Sequence, residues 1–207
     1  MTPRIKNCVN RARHYQDVIL REISKHPTAD TSDRSVVATA GIKMSVGDFK
    51  AILTEIDTGN PGPAFKLFRL LYEDVVNTLW AQAFANDELI AKLLHSHHGQ
   101  LPGYMAERAE KLDTIFVPPS GAEKDDDDTL FVHFQNKFWK TANSYTHGGS
   151  LAINRELTGY DEESTHGILR SSMTLFIVLI DGMYRLHHGK ANDVLSGIAE
   201  SYFSEKW

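Results

Sequence analysis

Apolar residues recur at three- and four-residue intervals almost from end to end of the chain, the spacing that gathers them on one face of an α-helix. Ile5, Cys8, Val9, Ala12, Tyr15, Ile19 and Ile23 set the pattern over residues 4–25. Pro27 and the polar run TADTSD end that segment, and Ser32 or Asp33 is placed to cap a second helix reaching to Thr58. Gly41 and Gly47 weaken that helix, at about 1 kcal/mol each relative to alanine. The turn DTGNPGPAF puts Pro61 or Pro63 where a first helical residue tolerates proline, and a long helix is predicted over 64–85. Shorter helices are predicted over 87–99 and within 101–116. The stretch VPPSGAEKDDDD, about 117–128, predicts a mobile acidic loop.

A helix is then predicted from Leu130 to Thr146, ending at Gly148-Gly149. The segment LAINREL links it to the turn TGYDEES. Residues 162–188 form a helix that is apolar almost all round at its centre, as expected of one surrounded by others. A last helix covers 192–206. Strand-like alternation is missing, so the predicted class is all-α: an up-and-down bundle of four or five long helices with short ones appended, in one domain spanning 1–207. The aromatic face of 130–147 is expected to pack antiparallel against 162–188.

Composition narrows the partners. The chain has 207 residues, 42% hydrophobic and 24% charged, which suits a soluble globular domain. Its net charge is −5 and its pI about 6.0, so a nucleic-acid surface has to be a local patch or arise in an oligomer. A single cysteine, Cys8, excludes an intrachain disulfide and a cysteine zinc cluster. The longest apolar run, MTLFIVLI at 173–180, is far short of the ~20 residues that span a bilayer. The N-terminus lacks the apolar core of a signal peptide. A cytoplasmic protein without membrane attachment is expected. Nucleophile elbows, phosphate-binding glycine loops and dinucleotide fingerprints are absent, and no cofactor is implied.

Candidate chemistry concentrates in WKTANSYTHGG, residues 139–149. On a helical wheel, Phe134, Phe138, Thr141 and Tyr145 share one side, while Asn136, Lys140, Asn143 and His147 form a narrow polar stripe on the other. One reading is an ordinary helix stop, with Gly148 as terminator and His147 in the last turn. The other has Asn143 and His147, one turn apart, sharing a substrate, with His147 moving protons. A second candidate is the pair Arg69 and Glu73, one turn apart and beside the apolar arc of Phe65, Tyr72, Val76 and Trp80. Charges there need a partner, and the pair either fixes helix register or orients His147 across the bundle. The histidines of HSHHG, His95, His97 and His98, and the pair His187-His188 are simpler as helix ends than as zinc ligands, and the acid run lacks the spacing of a calcium loop.

Two stretches, GNPGPAFKLFRLLYEDVVNTLWAQAFANDELI and FWKTANSYTHGGSLAINR, resemble a family of uncharacterised all-helical bacterial proteins, in matching order from about Ser35 to Arg185. More distantly, ANSYTHG is similar to the Arg-Asn-x-x-x-His-Gly hallmark of the HEPN superfamily. That resemblance implies a four-helix-type bundle, a homodimer, and an RNA-directed role in a bacterial defence or toxin-type system, with metal-independent endoribonuclease activity in many members. It maps Asn143 and His147 onto catalytic positions and puts Ala142 where the family has arginine. Lys140 lies on the same stripe and could supply charge, and Arg69, Glu73 and Tyr145 are candidate binding residues. The other functional class that stands is a non-catalytic helical module binding a small molecule or a protein partner.

Overall fold

A computed structural model describes residues 1–25, 31–96, 100–116 and 129–204, with the side chains of residues 139, 140, 156 and 203 excepted. The described residues form α1 (Pro3–Ser24), α2 (Asp33–Asp57), α3 (Pro61–Phe84), α4 (Asp87–His95), α5 (Met105–Asp113), α6 (Leu130–Thr146), α7 (Ser150–Thr158), α8 (Glu162–His188) and α9 (Asp193–Ser204), with no strand among them. The protein is all-α. The acidic segment 117–128 and the residues His97, His98 and Trp207 lie outside the described part.

Local chemistry sets the helix starts. Ser32 Oγ accepts the Ser35 N–H at 3.3 Å, Asn86 Oδ1 accepts that of Leu89 at 2.9 Å, and Asp161 Oδ1 accepts that of Ser164 at 2.6 Å. The α3 helix starts at Pro61 itself rather than at Ala64, because proline's fixed φ and missing N–H cost nothing in a first turn. No described residue beside it in sequence caps the start of α6 with its side chain. Asp113, at the end of α5, reaches across instead, its two carboxylate oxygens accepting the N–H groups of Phe131 and Val132 at 2.9 Å each. Helix α8 ends at Gly189, whose φ of 69° is the left-handed stop that glycine adopts most readily.

The α3 helix occupies the middle of the bundle, and two of the expectations change in the structure. First, α6 does not pack chiefly on α8. It lies on α3 and α5, while α8 lies on α3, α2 and α1. Phe65 of α3 stacks on Tyr145 at 4.6 Å, Phe68 meets Phe138 edge-on at 5.4 Å, and the Tyr72 hydroxyl donates to the Phe131 carbonyl at 3.0 Å. On the far side of α3, Leu79 comes so close to Gly182 of α8 that a β-carbon there would sit 2.7 Å from it. An apolar helix presents faces in two directions, and α3 fills the gap that the other two would have closed. Second, LAINREL is no linker but most of α7. Gly149 is its N-cap, and Ser144 Oγ accepts the Ala152 N–H at 3.3 Å across the turn.

The core runs through α1, α2, α3 and α8. Phe49 of α2 stacks on Phe176 of α8 at 5.0 Å, both fully buried. Helix α8 is long and apolar enough to cross a membrane, but 67% of its most apolar window is buried inside the protein, as befits a core helix.

Candidate functional site

The site forms where α3 meets the C-terminal end of α6. His147 follows α6 as its C-cap, its N–H donating to the Asn143 carbonyl at 3.0 Å. Its ring is exposed and turns toward α3. There Arg69 Nη1 stands 3.0 Å from His147 Nε2. A guanidinium has only donors, so His147 accepts through Nε2 and carries its proton on Nδ1. The other edge of the guanidinium is held by Glu73, with Nε donating to Oε1 at 2.7 Å. The Arg69 and Glu73 side chains keep only 20% and 25% of their surface exposed. The geometry is a relay: a carboxylate orients a guanidinium, and the guanidinium orients an imidazole.

Three of the sequence-derived candidates, Arg69, Glu73 and His147, therefore meet, although 78 residues separate Arg69 from His147. Glu73 does not touch His147 itself; Arg69 stands between them. Asn143 lies one turn before His147 and its Oδ1 is buried with no hydrogen-bond partner among the described residues. An unmatched buried amide oxygen is unfavourable, and its carrier sits beside the relay. Tyr145 is 2% exposed and packs between Phe65 and Tyr160. It supports the site from within the core, and as a binding residue it offers little surface to a ligand. Lys140 is among the residues whose side chains lie outside the described set.

Ala142 stands where the resemblance to the HEPN motif expects an arginine. It is 4% exposed, so a guanidinium at that point of α6 would enter the core. Arg69 brings a guanidinium to His147 from the neighbouring helix instead.

Two further residues of the site escaped sequence reasoning. Asn77 continues the Arg69–Glu73 spacing by another four residues, and its Oδ1 is also buried without a partner among the described residues. The regular step of four was the available signal. Arg108 on α5 donates through Nη1 to the carbonyls of Leu101, Pro102 and Gly103, at 3.4, 3.1 and 2.9 Å. Burial lowers its pKa, while the charge of Glu73 opposes that shift. Nothing in a surface-like AERAEK sequence points to it. The relay thus lies in a seam of α3, α5 and α6 that holds two arginines, one glutamate, one histidine and two unmatched amides.

The described histidines among those weighed as metal ligands are dispersed. His95 lies 3.6 Å from Asp33, while His188 packs on Tyr184 at a ring distance of 4.3 Å. No group of three or more potential ligands gathers among the described residues. A cavity of about 380 Å³ lies away from the relay, with no residue of α3 or α6 in its wall.

No curated protein and no solved structure matches the chain. A model of a family of unknown function (DUF6988) matches residues 42–204. That span takes in α3, α6 and every residue of the relay, and the chain belongs to this family.

Proposed function

We propose that this protein is a HEPN-like, metal-independent endoribonuclease of a bacterial defence or toxin-type system, with its phosphate-binding arginine supplied by α3. The observation that carries this reading is the 3.0 Å approach of Arg69 Nη1 to His147 Nε2, with Glu73 fixing the guanidinium's other edge. It supplies the arginine–histidine pairing that Ala142 leaves out of the motif.

The chemistry follows from those groups. A phosphate entering the seam accepts hydrogen bonds from Arg69 in the bidentate way a guanidinium favours, which frees His147 Nε2. That nitrogen takes the proton of the ribose 2′-hydroxyl as its oxygen attacks phosphorus. The P–O5′ bond breaks, the leaving oxygen takes a proton from water, and His147 returns its own proton to solvent. The products are a 2′,3′-cyclic phosphate and a 5′-hydroxyl. Arg69 stabilises the charge that builds on the phosphoryl oxygens, and the Asn143 Nδ2 amide donates to one of them. Leu151, Ile153 and Leu157 on α7 are 37%, 55% and 82% exposed directly after the histidine. They support a homodimer whose partner covers them and extends the RNA-binding surface, giving in light scattering a mass of twice 23.3 kDa.

The test is cleavage of a mixed-sequence RNA in the presence of EDTA. Wild type is expected to cut, and His147→Ala and Arg69→Ala to cut about 10²–10⁴-fold more slowly with unchanged circular dichroism. Wild-type protein that leaves every RNA intact, or a His147→Ala variant as fast as wild type, would remove the catalytic reading.

A further inference from the structure

A cavity of about 380 Å³ opens between the end of α1, the first half of α2, the end of α8 and the start of α9. Its volume is within the range of small-molecule sites, roughly 300–1,000 Å³. The floor is apolar: Ala38, Ile180, Met183 and Leu195 are all 5% exposed or less. Two polar side chains break that floor. Ser35 is 6% exposed and Asn192 7%.

Asn192 Oδ1 is already committed, accepting the N–H groups of Val194 and Leu195 at 2.9 and 3.2 Å as the cap of α9. What remains for the cavity is the Nδ2 amide, a donor only. No described residue hydrogen-bonds that amide or the Ser35 hydroxyl. At the mouth, Lys43 is exposed and has no ion-pair partner among the described residues. The one carboxylate in the wall, Glu22, is taken up by Lys25 at 2.7 Å. An apolar chamber with free donors in its wall and a free cation at its mouth is complementary to an apolar body carrying an anionic acceptor.

We propose that this cavity binds a small monocarboxylate with an aliphatic body. The chain lies on Ala38, Ile180 and Met183. The carboxylate accepts from Asn192 Nδ2 and the Ser35 hydroxyl, and Lys43 supplies the positive charge. At the ~30 Å³ that a liquid water molecule occupies, the space suits about a dozen non-hydrogen atoms, the size of decanoate. The site shares no residue with the Arg69–His147 relay, so it stands or falls apart from the ribonuclease reading.

Isothermal titration calorimetry of the full chain with decanoate, kept below its aggregation threshold, tests this. Decan-1-ol and decylamine serve as comparators. One saturable decanoate site per chain is expected, with both comparators at least tenfold weaker. Asn192→Asp keeps the cap oxygen and replaces the cavity donor with an anionic oxygen, and should weaken decanoate about tenfold or more. Lys43→Ala, on the surface, should weaken it about threefold, and Ser35→Ala serves as a donor deletion that leaves the α9 cap intact. No binding of decanoate, equal binding of the alcohol or the amine, or full affinity in both Lys43→Ala and Ser35→Ala overturns the proposal.

Discussion

Glu73 and Asp74 are neighbours on α3, and their environments are opposite. Glu73 turns toward α6 and holds Arg69 at 2.7 Å, with the charge of Arg108 nearby. Asp74 turns toward α2 and meets Asp48, another acid. Burial first, and then the charges of Asp48 and Glu73, push the Asp74 pKa up to about 7. Burial raises Asp48 as well, while its hydrogen bond with Asp74 holds it down. One side of the helix answers a buried charge with a counter-charge, and the other answers it by keeping a proton. The compensated side is the one that reaches an exposed histidine. A cation that orients an imidazole has to stay charged at all working pH, and the guanidinium–carboxylate pair provides that.

The largest effect is expected where the compensation is placed on the wrong helix. Ala142→Arg puts an arginine where the resemblance to the HEPN motif expects one, but sets it at a 4% exposed point of α6. A buried, unpaired charge and the overpacking together should cost about 3–5 kcal/mol, read as a fall in the urea midpoint. A variant that folds as well as wild type and cuts RNA faster would show that the arginine belongs on α6 and that Arg69 is not its source.

Removing the acid from the compensated side comes next. Glu73→Ala leaves the four-fifths-buried Arg69 without its carboxylate and should cost about 1–2 kcal/mol. It should also slow RNA cleavage, since the guanidinium loses its fixed orientation toward His147. Unchanged stability and unchanged cleavage together would make the pair a solvated surface bridge.

On the uncompensated side the sign reverses. The folded-state pKa of Asp74, about 7, lies above the ~3.9 of an unfolded aspartate, so the folded chain holds a proton that the unfolded chain has lost. The stability from this proton is complete below about pH 4 and declines as pH rises to about 7. Asp74→Asn keeps a neutral donor to Asp48 and should abolish the decline. Its advantage over wild type should grow from near zero at pH 4 to about 1 kcal/mol at pH 8, a figure reduced for the partial exposure of the group. Urea midpoints of both proteins across that range check it, and parallel curves would contradict it.

How far these features could be seen in the chain depends on whether their cause is local. Helix α8 runs from Glu162 to His188 as predicted, because its start and stop, Asp161 and Gly189, lie next to it in sequence. Helix α7 was missed because its support comes from Ser144 across a turn and because Leu157 is exposed rather than periodic with a core. The position of α3 between α6 and α8 was missed for a different reason: periodicity gives the apolar face of a helix and not the helix it meets. The same limit governs the site. Arg69 with Glu73, and Asn143 with His147, were each visible as one-turn pairs, but the 3.0 Å approach that joins them depends on how α3 crosses α6. Asp74 and Asp48 lie on different helices and share no motif, so nothing local marked them.

The smallest expected change in stability separates function from structure most sharply. Asn143 buries an amide oxygen that no described residue satisfies, a cost that a hydrocarbon side chain of similar volume does not incur. Asn143→Leu should therefore alter stability by less than about 0.5 kcal/mol, and any change should be a gain. If the Nδ2 group of the same amide is there to donate to a phosphoryl oxygen, the same variant should lose RNA cleavage by about 10²-fold, the effect of removing one positioned donor. Stability is read from urea midpoints and cleavage from the EDTA-resistant rate. A marked loss of stability with cleavage kept in proportion to the folded fraction would mean that Asn143 secures the end of α6, and that the relay ends at His147.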